Sequence, residues 1–378
     1  MTENAYIHIP FCVKKCKYCA FISYNKLQIK TAYIQALTEE IKVNYKGEKL
    51  KTLYFGGGTP SLLNISELSQ LLSCFHTDND TEITIEANPN KLKFEYLKEL
   101  KTIGINRLSI GVQSFNDNIL QLIGRLHSVN DINNAIENSR KAGFENISID
   151  LIYGLPTQTI DDFKESLQKA VKLGVDHISL YGLKIEEGTE FQLNKPPNLP
   201  DDDTQADMYL LASDILLSAG YQKYEISNFA LKNKESKHNL NYWNANTYYG
   251  FGCAAHGYEN DIRYENETDI EKYILNPNKK IVQAKLTQQD KLEEQIFLGF
   301  RKAKGINIKN LKKEFKYDFE AENESKLADF IESKHIIKTQ QGYAFTDEGF
   351  LLSNVILSEF LKSFCKSPNE RKLGERRN

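Results

Sequence analysis

Six short runs of apolar and β-branched residues punctuate the first half of the chain: AYIHI (5–9), KTLYF (51–55), EITIE (82–86), RLSIG (107–111), ISIDLIYG (147–154) and HISLYGL (177–183). Each reads as a near-continuous apolar segment, which predicts strands buried on both faces of a parallel sheet. Between them lie stretches of helical period, among them TAYIQALTEEIKVNY, KFEYLKELKTIG and IDDFKESLQKAVKLG. The last of these has Thr159 and Asp162 placed as a capping box and Gly174 as its stop. Six strand-then-helix repeats predict a βα barrel, and the count falls short of a closed one. The expected fold is α/β, an incomplete (β/α)6 TIM-like barrel.

The pattern changes near residue 190. The segment NKPPNLPDDD (194–203) is a proline- and acid-rich loop, followed by the helical TQADMYLLASDILLSAG and a further strand at YQKYEISNF. From about residue 284 the period is mostly helical with charged interruptions. The expected division is a barrel with its extension over 1–283, a small mainly helical C-terminal domain over 284–365, and a polar basic tail over 366–378 that reads as frayed.

Composition adds exclusions. The chain has 378 residues, 26% of them charged, and a formal net charge of −3, which gives no electrostatic case for nucleic acid. No apolar run approaches the roughly 18 residues of a membrane span, and the N-terminus does not read as a signal peptide. A cytoplasmic protein is expected, in which clustered cysteines point to metal or redox chemistry. Of the six cysteines, Cys12, Cys16 and Cys19 fall within eight residues. Cys74 and Cys365 read as small core residues.

The spacing C-x3-C-x2-C brings three thiolates from one loop to one centre. A structural zinc would want a fourth ligand at comparable spacing, and His8 lies in a strand-like run with Pro10 between. A cubane iron–sulfur cluster accepts three cysteines and leaves one iron open. That open iron suits S-adenosylmethionine, whose methionyl amine and carboxylate can chelate it.

YIHIPFCVKKCKYCAF resembles the cluster loop of radical S-adenosylmethionine (SAM) enzymes and, within them, is similar to the oxygen-independent coproporphyrinogen oxidase branch. FGGGTPSLL, TIEANP, RLSIGVQSF, IDLIYGLP and HNLNYW match that branch in order across almost the whole chain. The resemblance implies a [4Fe-4S] cluster on Cys12, Cys16 and Cys19 with SAM at the open iron. It also implies cofactor contacts from Gly57, Gly58 and Thr59, from Glu86 through the ribose, from Gln113, from Arg125 to the methionyl carboxylate, and from Asp150. A tight turn is the other reading of the glycines, and a solvated helix charge that of Arg125. Tyr6 and Tyr18 flank the loop, where they fit cofactor lining and core packing equally.

The branch holds porphyrinogen-oxidising enzymes and heme-transferring chaperones. The enzymes resemble this chain but carry a fourth cysteine two residues after the third, where this sequence has Phe21, and an N-terminal extension before the loop. Both differences point to a chaperone that binds heme and passes it to acceptor hemoproteins, with a small electron donor as a further partner. An oxidative decarboxylase of coproporphyrinogen III is the alternative, and a radical enzyme on another substrate stays open. His238 of HNLNYW is the candidate heme ligand, or else shapes the barrel's open edge; Cys253 and His256 in GFGCAAHG are further candidates. The surrounding aromatics could stack on a porphyrin or form core.

Overall fold

The computed structural model describes residues 1–362; Cys365 and the tail at 366–378 lie outside the described residues. Two compact units are present: residues 1–223, 227–241 and 246–285 form the first, and 224–226, 242–245 and the chain from 286 onward form the second.

The first unit begins with the six expected repeats, β1 (Asn4–Ile9), α1 (Lys30–Asn44), β2 (Thr52–Gly57), α2 (Ile65–Leu72), β3 (Glu82–Ala87), α3 (Phe94–Thr102), β4 (Arg107–Gln113), α4 (Asp117–Leu122), α5 (Val129–Lys141), β5 (Ile147–Tyr153), α6 (Ile160–Lys172) and β6 (His177–Gly182). β1 to β6 pair in parallel in chain order. Helices α7 (Glu190–Leu193) and α8 (Asp202–Ser218) come next. The single strand expected at YQKYEISNF is two short ones, β7 (Gln222–Lys223) and β8 (Asn228–Ala230); β8 adds antiparallel to β6, and β7 antiparallel to β8. After α9 (Lys237–Trp243), β9 (Tyr249–Phe251) adds in parallel to β1. The result is an open nine-stranded sheet, with no pairing between β7 and β9 among the described residues. A small antiparallel sheet, β10 (His256–Glu259), β11 (Ile262–Asn266) and β12 (Lys280–Lys285), completes the unit, with α10 (Ile270–Leu275) between its last two strands.

The strands are not apolar on both faces. They alternate strictly, and the two sets go to different places. Leu53, Phe55, Ile83, Ile85, Leu108, Ile110, Ile149 and Ile178 join the buried core with the helices. The alternate positions are polar: Tyr6, Tyr54, Thr84, Glu86, Arg107, Ser109, Ser148, Asp150, His177 and Ser179 share the other face, where Tyr54 bonds Glu86, Ser148 meets His177, Ser109 and Ser179 bond Asp150, and Tyr6 stacks on Tyr54. The incomplete barrel therefore has a polar interior.

Helix α6 starts as expected: the Thr159 side chain accepts from Asp162 N–H, and Asp162 closes the capping box. Cys74 lies just past α2, half-buried, with its thiol donating to the Gln70 carbonyl at 3.5 Å.

The second unit is mainly helical, with α11 (Gln288–Arg301), α12 (Ile308–Phe315), α13 (Phe319–Glu322), α14 (Glu324–Glu332), α15 (Asp347–Leu351) and α16 (Ser353–Leu361). It also holds a three-stranded antiparallel sheet of β13 (Ile306–Asn307), β14 (Ile336–Lys338) and β15 (Gly342–Phe345) that periodicity did not reveal, because its strands span only two to four residues. The rings of Phe300, Phe319, Phe345 and Phe360 pack together at its centre.

Candidate functional site

The cysteine loop leaves β1 at the C-terminal end of the parallel strands, where open α/β sheets and barrels place their sites. Its backbone is tied at several points. Cys12 N–H donates to the Tyr24 carbonyl at 2.9 Å, Lys17 N–H to Ile123 at 3.2 Å, and Phe191 N–H of α7 to Lys17 at 2.9 Å. His8 adds a side-chain tie, its Nε2 lying 3.0 Å from the Ile22 carbonyl. A carbonyl can only accept, so Nε2 carries the proton and Nδ1 accepts from the Tyr6 hydroxyl at 3.0 Å. Burial pushes this imidazole down to about 4, so it stays neutral.

Three half-buried thiols result, Cys12, Cys16 and Cys19. Burial raises the Cys19 thiol, and Cys16 and Cys12 add to that by their charge. No group of three His, Cys, Asp or Glu side chains among the described residues is gathered as one metal ion would need. Thiolates around a cubane sit on separate irons, so the loop fits a cluster better than a single ion.

Arg125 reaches the loop from beyond β4. Its guanidinium donates to Cys16 Sγ at 3.5 Å, to the Gly111 carbonyl at 2.5 Å and to Asn88 Oδ1 at 2.5 Å. Its Nε is buried with no hydrogen-bond partner. Fixed on three sides beside a cysteine, Arg125 is no solvated helix charge, and the orphan donor fits an anionic ligand group. The Tyr18 phenol lies against Arg125 and Cys16, and burial raises it strongly. Cys12 Sγ lies 3.6 Å from Thr59 Oγ1, which also accepts from Asn88 Nδ2 at 3.1 Å.

The glycines at the end of β2 are required by closeness. A Cβ on Gly58 would stand 2.7 Å from the Phe11 carbonyl oxygen, and one on Gly57 2.6 Å from the His8 ring. Gly57 also takes φ +112°, a conformation side chains resist. Gln113 ends β4 at a register shift and has φ +69°, unusual for a residue with a side chain. That bulge turns its amide over Gly111, whose added Cβ would meet Gln113 Nε2 at 2.8 Å.

Below this rim, Glu86 accepts from the Tyr54 hydroxyl at 2.9 Å and from Gly57 N–H at 3.0 Å. Burial, then the nearby Asp150 charge, pushes its carboxyl up to about 7. Burial likewise raises Asp150 to about 6, against hydrogen bonds from Ser179 and Ser109. The folded chain thus holds a proton on Glu86 up to about pH 7, which the unfolded chain releases near its ordinary 4.5. Stability must fall as pH rises across that window. Glu86→Gln cannot ionise, so it is expected to flatten this fall and to stabilise the protein at pH 8 by up to roughly 2 kcal/mol. Denaturation midpoints measured from pH 5 to pH 8 on both proteins check this; identical slopes would contradict it.

The structure brings Tyr6, Tyr18, Gly57, Gly58, Thr59, Glu86, Gln113, Arg125 and Asp150 to the loop or to the interior directly below it. His238 goes elsewhere. It sits with α9 at the N-terminal ends of β1 to β3, 1% exposed. Glu82 at the start of β3 caps the helix, accepting from Lys237 N–H at 3.2 Å and His238 N–H at 3.0 Å. His238 Nδ1 lies 2.7 Å from Thr52 Oγ1. Thr52 gives its only proton to Asn4 Oδ1 at 3.0 Å, so the imidazole is the donor of that pair. Asn241, one turn on, accepts from Asn4 Nδ2 at 2.8 Å. The His238 ring stacks on Tyr54 at 5.0 Å, and burial pushes it down to about 3. Enclosed in this way, the imidazole ties α9 to the N-terminal ends of β1 to β3. Cys253 is also core: it is 0% exposed, its thiol donates to the Thr268 carbonyl at 3.3 Å, and burial raises it to about 12. Phe21 is 68% exposed beside the loop.

Arg107 and Tyr54 escaped sequence reading. The signal was present in the alternation of RLSIG and TLYFG, where polar residues recur at every second place.

A family model of the radical SAM superfamily matches residues 6–170, and one of the HemN C-terminal domain matches residues 286–352. The heme chaperone HemW of Lactococcus lactis subsp. lactis is 40% identical over 369 residues, 95% of this chain and 97% of that protein. The Bacillus subtilis heme chaperone HemW is 37% identical over 375 residues, covering 95% and 99%. The solved Escherichia coli coproporphyrinogen III oxidase HemN, a radical SAM enzyme, matches with a TM-score of 0.82 and 25% identity over 94% of this chain and 89% of that one. With its thiol loop, glycine rim and interior acids arranged as described, the chain belongs to the heme chaperone HemW family within the radical SAM superfamily.

Proposed function

We propose that this protein binds heme and hands it to acceptor hemoproteins in the cytoplasm, and that it carries a [4Fe-4S] cluster on Cys12, Cys16 and Cys19 with SAM at the open iron. Family membership over nearly the full length of the relatives carries this reading. Phe21, in the place of the synthases' fourth cysteine, is its mark at residue level. When bound, the cluster supplies an electron that can cleave the S–C5′ bond of the cofactor.

The chain's own residues divide the work of holding that cofactor. Arg125 pairs with the methionyl carboxylate, and Gly57, Gly58 and Thr59 let backbone approach the methionyl end. Glu86 accepts from the ribose hydroxyls, while Gln113 and Asp150 border the same space. Tyr6 and Tyr18 wall it, and Tyr6 also fixes His8. Heme binding is supported by the exposed apolar residues beside the loop, Val13, Phe21 and Leu126, with Lys14 and Lys15 adjacent for the propionates. Among the described residues no helix is long and apolar enough to cross a membrane.

Anaerobic cluster reconstitution, followed by heme titration and a porphyrinogen assay on one sample, tests the proposal. Heme uptake and transfer to an apo-hemoprotein, without protoporphyrinogen, is the expected result. Protoporphyrinogen formation would overturn it in favour of the decarboxylase.

A further inference from the structure

One cation on the polar interior face has no task in the cofactor reading. Arg107 opens β4 and is 2% exposed, and its Nε finds no hydrogen-bond partner. A guanidinium so enclosed needs compensating charge. Strand register supplies it: Arg107 lies beside Thr84, the next inward residue Ser109 beside Glu86, and Gly111 beside Asp150. Its charge acts on both carboxyls.

We propose that Arg107 is a positioning residue for the cofactor, holding one carboxylate of the Glu86–Asp150 pair ionised so that it can accept from the ribose hydroxyls. The inference rests on SAM being the ligand, as proposed above. β1 and β2 contribute Tyr6 and Tyr54, whose phenols burial keeps protonated. β6 contributes His177 and Tyr181, and α9 contributes His238; burial and the Arg107 charge keep both imidazoles neutral. Arg125 stands at the mouth, engaged with Gly111, Asn88 and Cys16. Two carboxyls therefore share one fully enclosed cation, with the Arg125 charge reaching Asp150 from the mouth. Their mutual repulsion is offset for one of them only, and the second proton stays until the pH is raised.

A protonated carboxyl loses acceptor capacity, so affinity must fall as the pair takes up its second proton. Calorimetric titration of reconstituted wild-type protein with SAM is expected to show about tenfold weaker binding at pH 5 than at pH 8, as the last carboxylate of the pair is neutralised. In Arg107→Met the half-point should move up by roughly one pH unit, and Arg107→Lys should restore most of the wild-type profile. A profile unchanged in Arg107→Met would overturn the inference. Should Arg107→Met not fold, the double variant Arg107→Met/Glu86→Gln removes one charge of each sign and is expected to regain the fold; failure to do so is equally fatal. If wild-type protein binds no SAM at any pH, the cofactor reading falls instead. The pH dependence of the Arg107→Met denaturation midpoint then decides the charge coupling separately: a fall with rising pH displaced from that of wild type supports it, and coincident curves overturn it.

Discussion

Cys16→Ala is expected to abolish cluster incorporation, with loss of the visible charge-transfer absorption after anaerobic reconstitution. Three thiolates are the least a cubane with one open iron can use, so two leave a second iron without a protein ligand. Cys16 has an additional burden, because its sulfur lies 3.5 Å from the buried Arg125 guanidinium. Its removal takes away both a metal ligand and the negative charge facing that cation. Cys12→Ala and Cys19→Ala should lose the cluster too, while Cys253→Ala should keep it, since that thiol is sealed in the core. Circular dichroism on the same samples separates loss of the cluster from loss of the fold. Retained absorption in all three loop variants would refute the assignment.

The second large effect is expected at the opposite end of the strands. His238→Ala deletes a ring stacked on Tyr54 and Tyr6 and takes away the donor that Thr52 Oγ1 accepts from. The cavity, the lost ring contact and the lost hydrogen bond to Thr52 together are expected to cost about 2–4 kcal/mol. Heme uptake per folded molecule should be unchanged. An axial ligand would behave in the opposite way: the heme Soret band would shift or vanish while the denaturation midpoint held. Urea unfolding and heme titration of one preparation distinguish the two, and loss of heme at wild-type stability would identify His238 as a ligand.

These cases show what could be read before folding. The thiol loop was legible because its three ligands are local in sequence and the chemistry needs little else. The six parallel strands were legible as apolar runs, and α6 through its capping box. The floor was not, because His238 meets Thr52 across 186 positions and no periodicity in either segment announces that pairing. Arg107 was passed over for a different reason. A run such as RLSIG is apolar enough to read as a buried strand, and only its alternation marks one face as polar. The small sheet of the second unit stayed hidden because its strands, of two to four residues, are too short to establish a period.

The alternation also bears on how the family can change. Moving one place along β3 or β4 crosses from the helix-packed face to the interior, so neighbouring codons answer to different selective demands. Replacements at Ile85 or Ile110 are felt by every function the protein has, through the amount of folded chain. Replacements at Thr84 or Ser109 reach the polar groups of the interior first, Ser109 through its hydrogen bond to Asp150. A fold partitioned in this way can vary the chemistry of its interior through one set of strand positions and its packing through the other.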